Sequence, residues 1–301
     1  MNAEHDSTPP TISVVVVAYN SADVLDRLLD SVAAAAERTS TEVIVVENAS
    51  SQRDRTASIA EAHGAQFLAL DQNVGYGGGV NAGAAAAHPA ARYLLICNAD
   101  LMFSAGAIDR LVEYADGHDA AGAVGPAILN ADGTVYPSAR RSPSLRHGIG
   151  HAVLGVIAPD NRWSTQYRRS GSATGTRDTD WLSGACLLVR REVFDQIGGF
   201  DASYFMYFED VDLGDRIAAS GSRNIYLPEA TVTHIGGHST ASSSERMLRE
   251  HHRSAYRYLA RKYRGAALWP VRVVIRVGLA IRLRWTIRSV RRRTAHPVPR
   301  G

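Results

Sequence analysis

The chain has 301 residues, of which 45% are hydrophobic, enough for one large domain or for one domain with an appendage. Its two cysteines, Cys97 and Cys186, lie in separate apolar segments, which excludes a disulfide framework or a zinc-finger spacing and favours a reducing compartment. The net charge of +3 is unevenly distributed: residues 251–301 contain 14 Lys and Arg and no acidic residue, whereas residues 1–250 carry 19 basic and 30 acidic residues, a net charge of −11.

Strand and helix patterns alternate over the first 130 residues. Apolar runs predict strands at 12–18, 42–46, 65–70 and 93–97, separated by helices at 22–37, 51–63, 77–87 and 104–114. Strands that are apolar throughout and separated by helices predict a parallel sheet covered on both faces. Ligands bind such sheets beyond the carboxyl ends of the strands.

The second half of the chain begins differently. Residues 130–180 are rich in turn-forming residues, and we interpret them as a long excursion or mobile loop. Regular patterns return with a strand at 181–190, a helix at 209–220, a strand at 224–227 and a helix at 244–264. We predict a catalytic domain at 1–240, with halves at about 11–130 and 131–240, and a basic helical tail at 241–301.

Glu47 and Asn48 follow directly after an apolar strand, where a parallel sheet places its ligand contacts. A carboxylate at this position can accept a hydrogen bond from a pyrimidine N3–H or a ribose hydroxyl. Asn48 and Ser50 can equally form a turn and cap the next helix. The segment alone leaves both interpretations open.

Residues 73–83 contain five glycines. Clustered glycines let a backbone approach a ligand closely, and the N–H groups of a helix start can face an anion. A glycine-rich turn that binds nothing is the alternative, and such loops alone are weak signals.

Asn98 and Asp100 come at the end of the strand predicted at 93–97. They place two oxygen ligands on one side of an extended chain, as hard divalent cations prefer. An isolated Asn and Asp more commonly form only a turn.

The strongest signal lies in residues 181–216, where an apolar stretch leads to Glu209, Asp210 and Asp212 at the start of a predicted helix. Acidic residues there can simply complement the helix dipole. After a strongly apolar stretch, however, the pKa of a carboxyl tends to rise, as suits a general base.

His234 and His238 lie four residues apart in a glycine-rich loop. The glycines and the absence of nearby Cys or Glu argue against a structural zinc site. We favour one histidine completing an oxygen-rich cation site; two solvent-exposed histidines without function are the alternative.

Taken in order, these motifs resemble those of family 2 glycosyltransferases from about Ile12 to Thr240. Within the family they are most similar to rhamnosyltransferases that act on polyprenyl-diphosphate-linked N-acetylglucosamine in arabinogalactan linker synthesis. Tyr136–Arg140 and Tyr204–Arg216 carry this closer similarity, and galactofuranosyltransferases share much of the pattern. The resemblance implies an α/β fold of GT-A type, a nucleotide-sugar-binding sheet flanked by helices.

The resemblance also implies an inverting transfer from dTDP-rhamnose, with Mg²⁺ or Mn²⁺ as cofactor. Carried over by position, Asp210 is the catalytic base, and Asp100 and His234 are metal ligands. The implied donor contacts are Ala18, Tyr19, Glu47, Asn73, Gly75, Tyr76, Gly78, Asn81 and Asn98. The implied acceptor contacts are Trp181, Glu209 and Asp212.

One position departs from the family pattern. Asn98 occupies the place of the first Asp in the Asp-x-Asp motif that ends at Asp100. Its amide offers an oxygen but no charge, so we expect weaker cation binding.

The basic tail predicts a further partner. On a helical wheel, apolar residues line one side and arginines lie elsewhere: Val274, Val277, Ile281 and Trp285 against Arg272, Arg276, Arg282 and Arg284. This pattern is typical of a helix lying on an anionic lipid surface, and it predicts peripheral association with the cytoplasmic face of the cell membrane. A tail that binds RNA or only improves solubility is the alternative.

Two other classes of protein compete with an enzyme. A catalytically inactive membrane scaffold is disfavoured by the intact acidic motif at Glu209–Asp212, although Asn98 would suit it. The net charge of −11 on residues 1–250 and the lack of a recognition motif argue against a nucleic-acid partner. No secretory signal or transmembrane helix is predicted, because no apolar segment reaches about 20 residues.

Overall fold

The computed structural model describes residues 9–143, 175–235 and 245–295. His238 and most of the predicted excursion lie outside these residues. The strands are β1 (Ile12–Ala18), β2 (Thr41–Glu47), β3 (Gln66–Ala69), β4 (Tyr93–Asn98), β5 (Leu101–Phe103), β6 (Ala121–Asn130), β7 (Val135–Tyr136), β8 (Ala139–Arg140), β9 (Arg177–Thr179), β10 (Trp181–Leu182), β11 (Cys186–Arg190) and β12 (Arg223–His234). The helices are α1 (Ala22–Ala35), α2 (Arg53–Ala62), α3 (Gly75–Ala86), α4 (Ala107–Asp116), α5 (Arg191–Gln196), α6 (Glu209–Ala219), α7 (Glu245–Lys262) and α8 (Trp269–Ala295).

The strands form a sheet whose main order is β3-β2-β1-β4-β11-β6-β12-β5. β7 pairs with β6 and β9 with β12, while β8 and β10 form a separate two-stranded ladder. β1 lies between β2 and β4, and all three strands run parallel. The chain therefore switches direction across the sheet at β1, which opens a crevice beyond the carboxyl ends of β1 and β4.

The four strands predicted for the first half, β1 to β4, run parallel as expected, and strands from the rest of the chain make the complete sheet mixed. β11 runs antiparallel to both of its neighbours, β4 and β6, and β5 runs antiparallel to β12. The strand predicted at 181–190 is divided, because its first part pairs with β8 and its second part enters the main sheet. Residues 183–185 form the turn between the two parts, and this turn is central to the candidate site.

Both faces of the sheet are covered, as predicted. Val14 and Val16 of β1 belong to one hydrophobic cluster, and Val15 and Val17 belong to the other. Residues from α1 and α4 complete the first cluster, and residues from α3 and α6 complete the second. Successive strand residues point to opposite faces, so a strand that is apolar throughout needs a hydrophobic layer on each side.

The elements predicted for the first half are confirmed, with ends shifted by up to three residues. β6 was not predicted, because its Ala, Gly and Pro residues have low strand propensity. It forms a strand because it lies between β11 and β12, buried over its first eight residues. β12 extends well past the strand predicted at 224–227 and carries a register shift between Leu227 and Thr231.

The two C-terminal helices, α7 and α8, pack against each other. In α8 the half-buried apolar residues recur every four positions, at Val271, Ile275, Leu279 and Leu283. The exposed ones, Trp269, Val273, Val274, Val277, Ile281 and Trp285, fall on the opposite face. No helix in the described ranges is both long and apolar enough to cross a bilayer.

Gly83→Ala tests the close packing of α3 on the sheet. A Cβ at Gly83 would lie 2.9 Å from Cγ2 of Val46 and closer still to Val15, and both are stiff β-branched side chains. We expect the free energy of unfolding to fall by about 1–3 kcal/mol, measured by urea denaturation. Gly278→Ala is the control, since nothing lies within 4 Å of that position; an equal loss in both variants would contradict this packing.

Candidate active site

Glu47 ends β2 and is fully buried. Its Oε1 accepts a hydrogen bond from the Ser50 N–H at 2.7 Å, whereas Oε2 is buried without a partner among the described residues. A buried carboxylate oxygen without a hydrogen bond is costly unless a ligand supplies a donor. Glu47 therefore holds its own turn with one oxygen and has the other available for a ligand.

Asn48 connects this turn to the glycine-rich segment. Its Nδ2 donates to the Gly75 carbonyl at 3.1 Å, and its Oδ1 accepts from the Val74 N–H at 3.0 Å. Gly75 has φ +80°, and a Cβ there would collide with the Phe205 carbonyl oxygen. Only glycine fits this close approach. The glycine-rich segment therefore contacts both the turn after β2 and the segment that precedes the acidic motif.

The remaining predicted donor contacts divide into two groups. The backbone of Ala18 is engaged, because its carbonyl accepts the Asn48 N–H at 2.9 Å, and Tyr19 is half-exposed beside it. Asn73 accepts from the Gly75 N–H at 2.9 Å at the start of α3, where Gly78 is half-buried.

Asn81 and Tyr76 have structural partners instead. The Asn81 amide bonds to both the N–H and the carbonyl of Phe200, at 2.9 and 2.8 Å. The Tyr76 hydroxyl donates to the Gly184 carbonyl at 2.5 Å. These polar atoms hold the fold together, which differs from the donor contacts expected from the sequence.

Asp100 and His234 meet because of the pairing of two short strand segments. The ladder of β5 and β12 places His234 opposite Leu101, and His234 Nε2 lies 2.9 Å from Asp100 Oδ1. Asn98 lies two residues earlier, at the end of β4. Among the described residues, no three His, Cys, Asp or Glu side chains cluster as metal ligands.

This pair fits a divalent cation that is shared with a bound phosphate. Mg²⁺ is commonly held by one or two carboxylates together with substrate phosphates and water. Asp100 and His234 supply one oxygen and one nitrogen donor at a single point, and Asn98 can add an amide oxygen nearby.

The turn of residues 183–185 connects the acidic motif to the strand ends. The Gly184 N–H donates to Asp210 Oδ2 at 3.2 Å, while the Gly184 carbonyl accepts the Tyr76 hydroxyl. The next carbonyl, that of Ala185, accepts the Asn98 N–H at 2.9 Å. One short turn thus places Asp210 next to the end of β4 and the start of α3.

Asp210 lies in the first turn of α6 and is half-buried. Its Oδ1 also accepts the Val211 N–H at 2.9 Å. Burial raises the pKa of the Asp210 carboxyl, and the N–H groups of Gly184 and Val211 and the charge of Arg140 oppose this rise. A carboxylate that is oriented by two N–H groups and has a raised pKa suits a general base.

Glu209 differs from its neighbour. Burial, followed by the adjacent Asp210, raises the pKa of Glu209 to about 8. Its Oε2 is buried and has no partner in the described part of the chain. The Glu209 carboxyl can therefore stay protonated at neutral pH and offer a hydrogen bond to a ligand.

Asp212, which was predicted to contact an acceptor, forms a buried ion-pair network instead. One carboxylate oxygen pairs with Arg216 at 2.7 Å and the other with Arg261 at 3.0 Å. The residue is 3% exposed. This correction has a simple cause: Asp212 faces α7, which supplies Arg261, and sequence spacing does not show that contact.

Trp181 packs against the helix that carries the acidic motif. Its ring is buried with Tyr204, Val211 and Tyr258, and its Nε1 donates to the Arg141 carbonyl at 3.2 Å. Trp181, predicted to contact the acceptor, is 8% exposed.

The backbone before the acidic pair is strained. Tyr207 and Phe208 both have φ 67°, in the left-handed region that aromatic residues rarely adopt. Strain of this kind costs of order 1–3 kcal/mol per residue and persists only where surrounding contacts enforce it.

Helix α7 supplies those contacts. The His251 ring meets the rings of Tyr207 and Phe208 edge-on, with centroids 5.3 and 5.6 Å away. The Ser254 hydroxyl donates to the Met206 carbonyl at 2.9 Å. Residues 245–262 were predicted as part of the appended tail, yet they hold the turn that carries the acidic pair.

Comparison with known proteins agrees with this geometry. Residues 13–198 match the sequence model of Glycosyl transferase family 2. The chain belongs to this family.

The family assignment is supported over almost the whole chain. An N-acetylglucosaminyl-diphospho-decaprenol L-rhamnosyltransferase from Mycobacterium tuberculosis is 40% identical over 292 residues, 94% of this chain and 95% of that protein. The mannosyltransferase PcManGT from Pyrobaculum calidifontis, in complex with GDP-Man and Mn²⁺, is 16% identical with a TM-score of 0.58, covering 97% of this chain and 77% of that one. GalNAc-T7 with UDP, GalNAc and Mn²⁺ is 16% identical with a TM-score of 0.60, covering 91% and 55%. The two structures share the GT-A fold with this glycosyltransferase.

Sequence reasoning missed three features of this glycosyltransferase's site. Gly184 orients Asp210 through its N–H, His251 and Ser254 hold the strained turn, and Arg140 acts on Asp210 through its charge. The Ser-Gly-Ala interruption between two apolar runs at 182–188 was the one available signal, since small residues there indicate a turn.

Glu209→Gln tests the burial of this carboxyl. Because its pKa is raised in the folded state, protonated Glu209 stabilises that state at low pH, and this contribution is lost as the pH rises through about 8. We expect the free energy of unfolding of the wild type to fall relative to that of Glu209→Gln between about pH 5 and 8 and the difference to level off above. Urea denaturation of both proteins across this pH range measures the difference in their free energies of unfolding.

Exposed Glu61 provides the control, because Glu61→Gln is expected to keep the pH dependence of the wild type. A difference between wild type and Glu209→Gln that does not change with pH would contradict the buried, raised pKa.

Proposed function

We propose that this glycosyltransferase moves L-rhamnose from dTDP-rhamnose to a polyprenyl-diphosphate-linked N-acetylglucosamine, with inversion at the anomeric carbon. The 40% identity to the mycobacterial rhamnosyltransferase, which extends over 94% of this chain, carries the proposal for the acceptor and the sugar. The arrangement around Asp210 supports the proposed mechanism.

In this mechanism Asp210 accepts the proton of an acceptor hydroxyl. The hydroxyl oxygen forms a bond to the anomeric carbon, and the bond from that carbon to the nucleotide diphosphate breaks on the opposite face. Asp210 is the proposed base because two N–H groups fix its carboxylate and burial raises its pKa. Direct displacement inverts the anomeric centre and needs no nucleophile from the protein.

Asp100 and His234 would hold the divalent cation, either Mg²⁺ or Mn²⁺. Such a cation, when bound, neutralises charge on the departing diphosphate. Glu47 would bind the nucleobase of the donor, because its free Oε2 can accept the N3–H of a pyrimidine.

A panel of donors tests the proposal. Purified protein would receive Mg²⁺, a polyprenyl-diphosphate N-acetylglucosamine and, in parallel, dTDP-rhamnose, UDP-galactofuranose, UDP-glucose or UDP-N-acetylglucosamine. We expect transfer from dTDP-rhamnose that is lost in EDTA. Transfer from another donor would refute the rhamnose assignment. No transfer from any of the donors would favour an inactive scaffold.

Asp210→Asn tests the base. We expect kcat to fall by about 10²–10⁴, because the amide cannot take the proton, while the affinity for the donor is retained. Asp119→Asn is the control, since Asp119 is exposed and lies just before the amino end of β6. Near-normal turnover in Asp210→Asn would refute its assignment as base.

The proposal includes peripheral attachment to an anionic membrane through α8. This helix exposes an apolar face in addition to the one that packs on α7. Arg284 follows Val277 by seven residues and so lies on this face, which corrects the helical-wheel prediction. An arginine in this position can bury its stem among lipids while its guanidinium reaches the headgroups.

Val277→Asp combined with Ile281→Asp tests the attachment. We expect this variant to lose binding to anionic vesicles in a sedimentation assay, because it places charge on the face that enters the lipid. Val135→Asp is the matched control, since Val135 and Val277 are each 52% exposed but Val135 lies on β7, in the main sheet. Unchanged binding of the double variant would contradict attachment through this face.

A further inference from the structure

Arg140 is held in an unusual position beside the site. Its guanidinium lies between two aromatic rings, 5.4 Å from the centroid of Tyr136 and 5.6 Å from that of Trp181. Its Nε donates to the Pro137 carbonyl at 2.6 Å. Its two terminal amino groups have no hydrogen-bond partner among the described residues, so the group is oriented but not neutralised.

The ladder of β8 and β10 places this arginine next to the proposed base. Arg140 pairs with Trp181, and the Ser183 N–H donates to the Ser138 carbonyl at 2.7 Å. The next residue, Gly184, contacts Asp210. Arg140 is also the cation whose charge opposes the rise in the pKa of Asp210, which agrees with a short distance between the two groups.

A diphosphate acceptor that binds beside the acidic motif requires a positive charge nearby. Asp210 must be ionised to act as the proposed base, and its negative charge would repel an acceptor that carries a diphosphate. In the proposed acceptor the diphosphate is one sugar ring away from the hydroxyl that reacts. An arginine whose plane is already fixed suits this anion, because its fork of N–H groups matches phosphate oxygens and little side-chain entropy is lost on binding.

Two neighbouring arginines have other partners. Arg177 stacks on Tyr226, with its guanidinium carbon 4.3 Å from the ring centroid. Arg223 pairs with Asp178 at the start of β12, the end of the strand remote from His234. Arg140 differs from both, since its terminal donors have no hydrogen-bond partner in the described part of the chain.

We propose that Arg140 binds the diphosphate of the lipid-linked acceptor and thereby selects a sugar diphosphate over an uncharged glycoside. This inference rests on the proposed function. It assigns Tyr136 and Trp181 the task of holding the guanidinium in place.

The test compares two acceptors: farnesyl-diphospho-N-acetylglucosamine and an N-acetylglucosaminide with an uncharged alkyl chain of similar length. For Arg140→Gln we expect KM for the diphosphate acceptor to rise about 10- to 100-fold, the loss expected when a charge-assisted hydrogen bond is removed. The preference for the diphosphate acceptor over the alkyl glycoside should fall by the same factor. Arg140→Lys keeps the charge but not the fork of N–H groups, so its KM for the diphosphate acceptor should lie between those of the wild type and Arg140→Gln.

Arg223→Gln is the control, because it removes an arginine that lines the same pocket as Arg140 but already pairs with Asp178, and it should keep the wild-type preference. If Arg140 served only to keep Asp210 ionised, Arg140→Gln would slow both acceptors equally and move the acid limb of kcat to higher pH. That result, or an unchanged preference, would overturn the proposal.

Direct binding separates this proposal from the proposed function. Titration of farnesyl-diphospho-N-acetylglucosamine into the wild type and Arg140→Gln, without donor, should show the same 10- to 100-fold loss of affinity. If no donor supports transfer but this loss is found, the reaction assignment fails and the diphosphate site stands. Equal affinity in both proteins, with equal melting temperatures, would refute the site.

Discussion

The peptide group of Gly184 is the interaction on which the rest of the site depends. Its N–H binds Asp210, and its carbonyl accepts the hydroxyl of Tyr76 from the glycine-rich helix. The adjacent carbonyl of Ala185 binds the N–H of Asn98 at the end of β4. Each half of the molecule therefore supplies atoms that this turn brings together. The position of the proposed base is tied in this way to the strands that are proposed to receive the donor.

This arrangement is maintained against opposing local energies. Tyr207 and Phe208 adopt left-handed backbone conformations, and the two acids that follow have pKa values that burial raises. Isolated, such a segment would relax, because both backbone strain and carboxylate burial cost free energy. It persists because α7 covers it, with His251 against both aromatic rings and Ser254 bound to the preceding backbone. A helix outside the segment that matches the family model thus supports the turn that carries the acidic pair.

The structure also distinguishes polar residues that build the site from those available to a ligand. Asp212 and Asn81 have typical motif positions, yet ion pairs with arginines and hydrogen bonds to Phe200 occupy their polar atoms. Glu47 and Glu209 each retain a buried oxygen without a partner in the described residues. Because an unsatisfied buried oxygen is costly, a ligand that donates a hydrogen bond at either position would recover free energy.

The sequence alone determined the alternating strands and helices of the first half, the fold class and the family, because buried parallel strands are apolar throughout and the motifs occur in a specific order. It also predicted that Asp100 and His234 belong to one site, and the β5–β12 ladder brings the two side chains into contact. Only the tertiary structure decided the antiparallel β11, the strand at Ala121–Asn130 and the partners of Asp212, Asn81 and Arg140. These depend on contacts between residues distant in the chain, where burial overrides local propensity and a side chain's role is set by what packs against it.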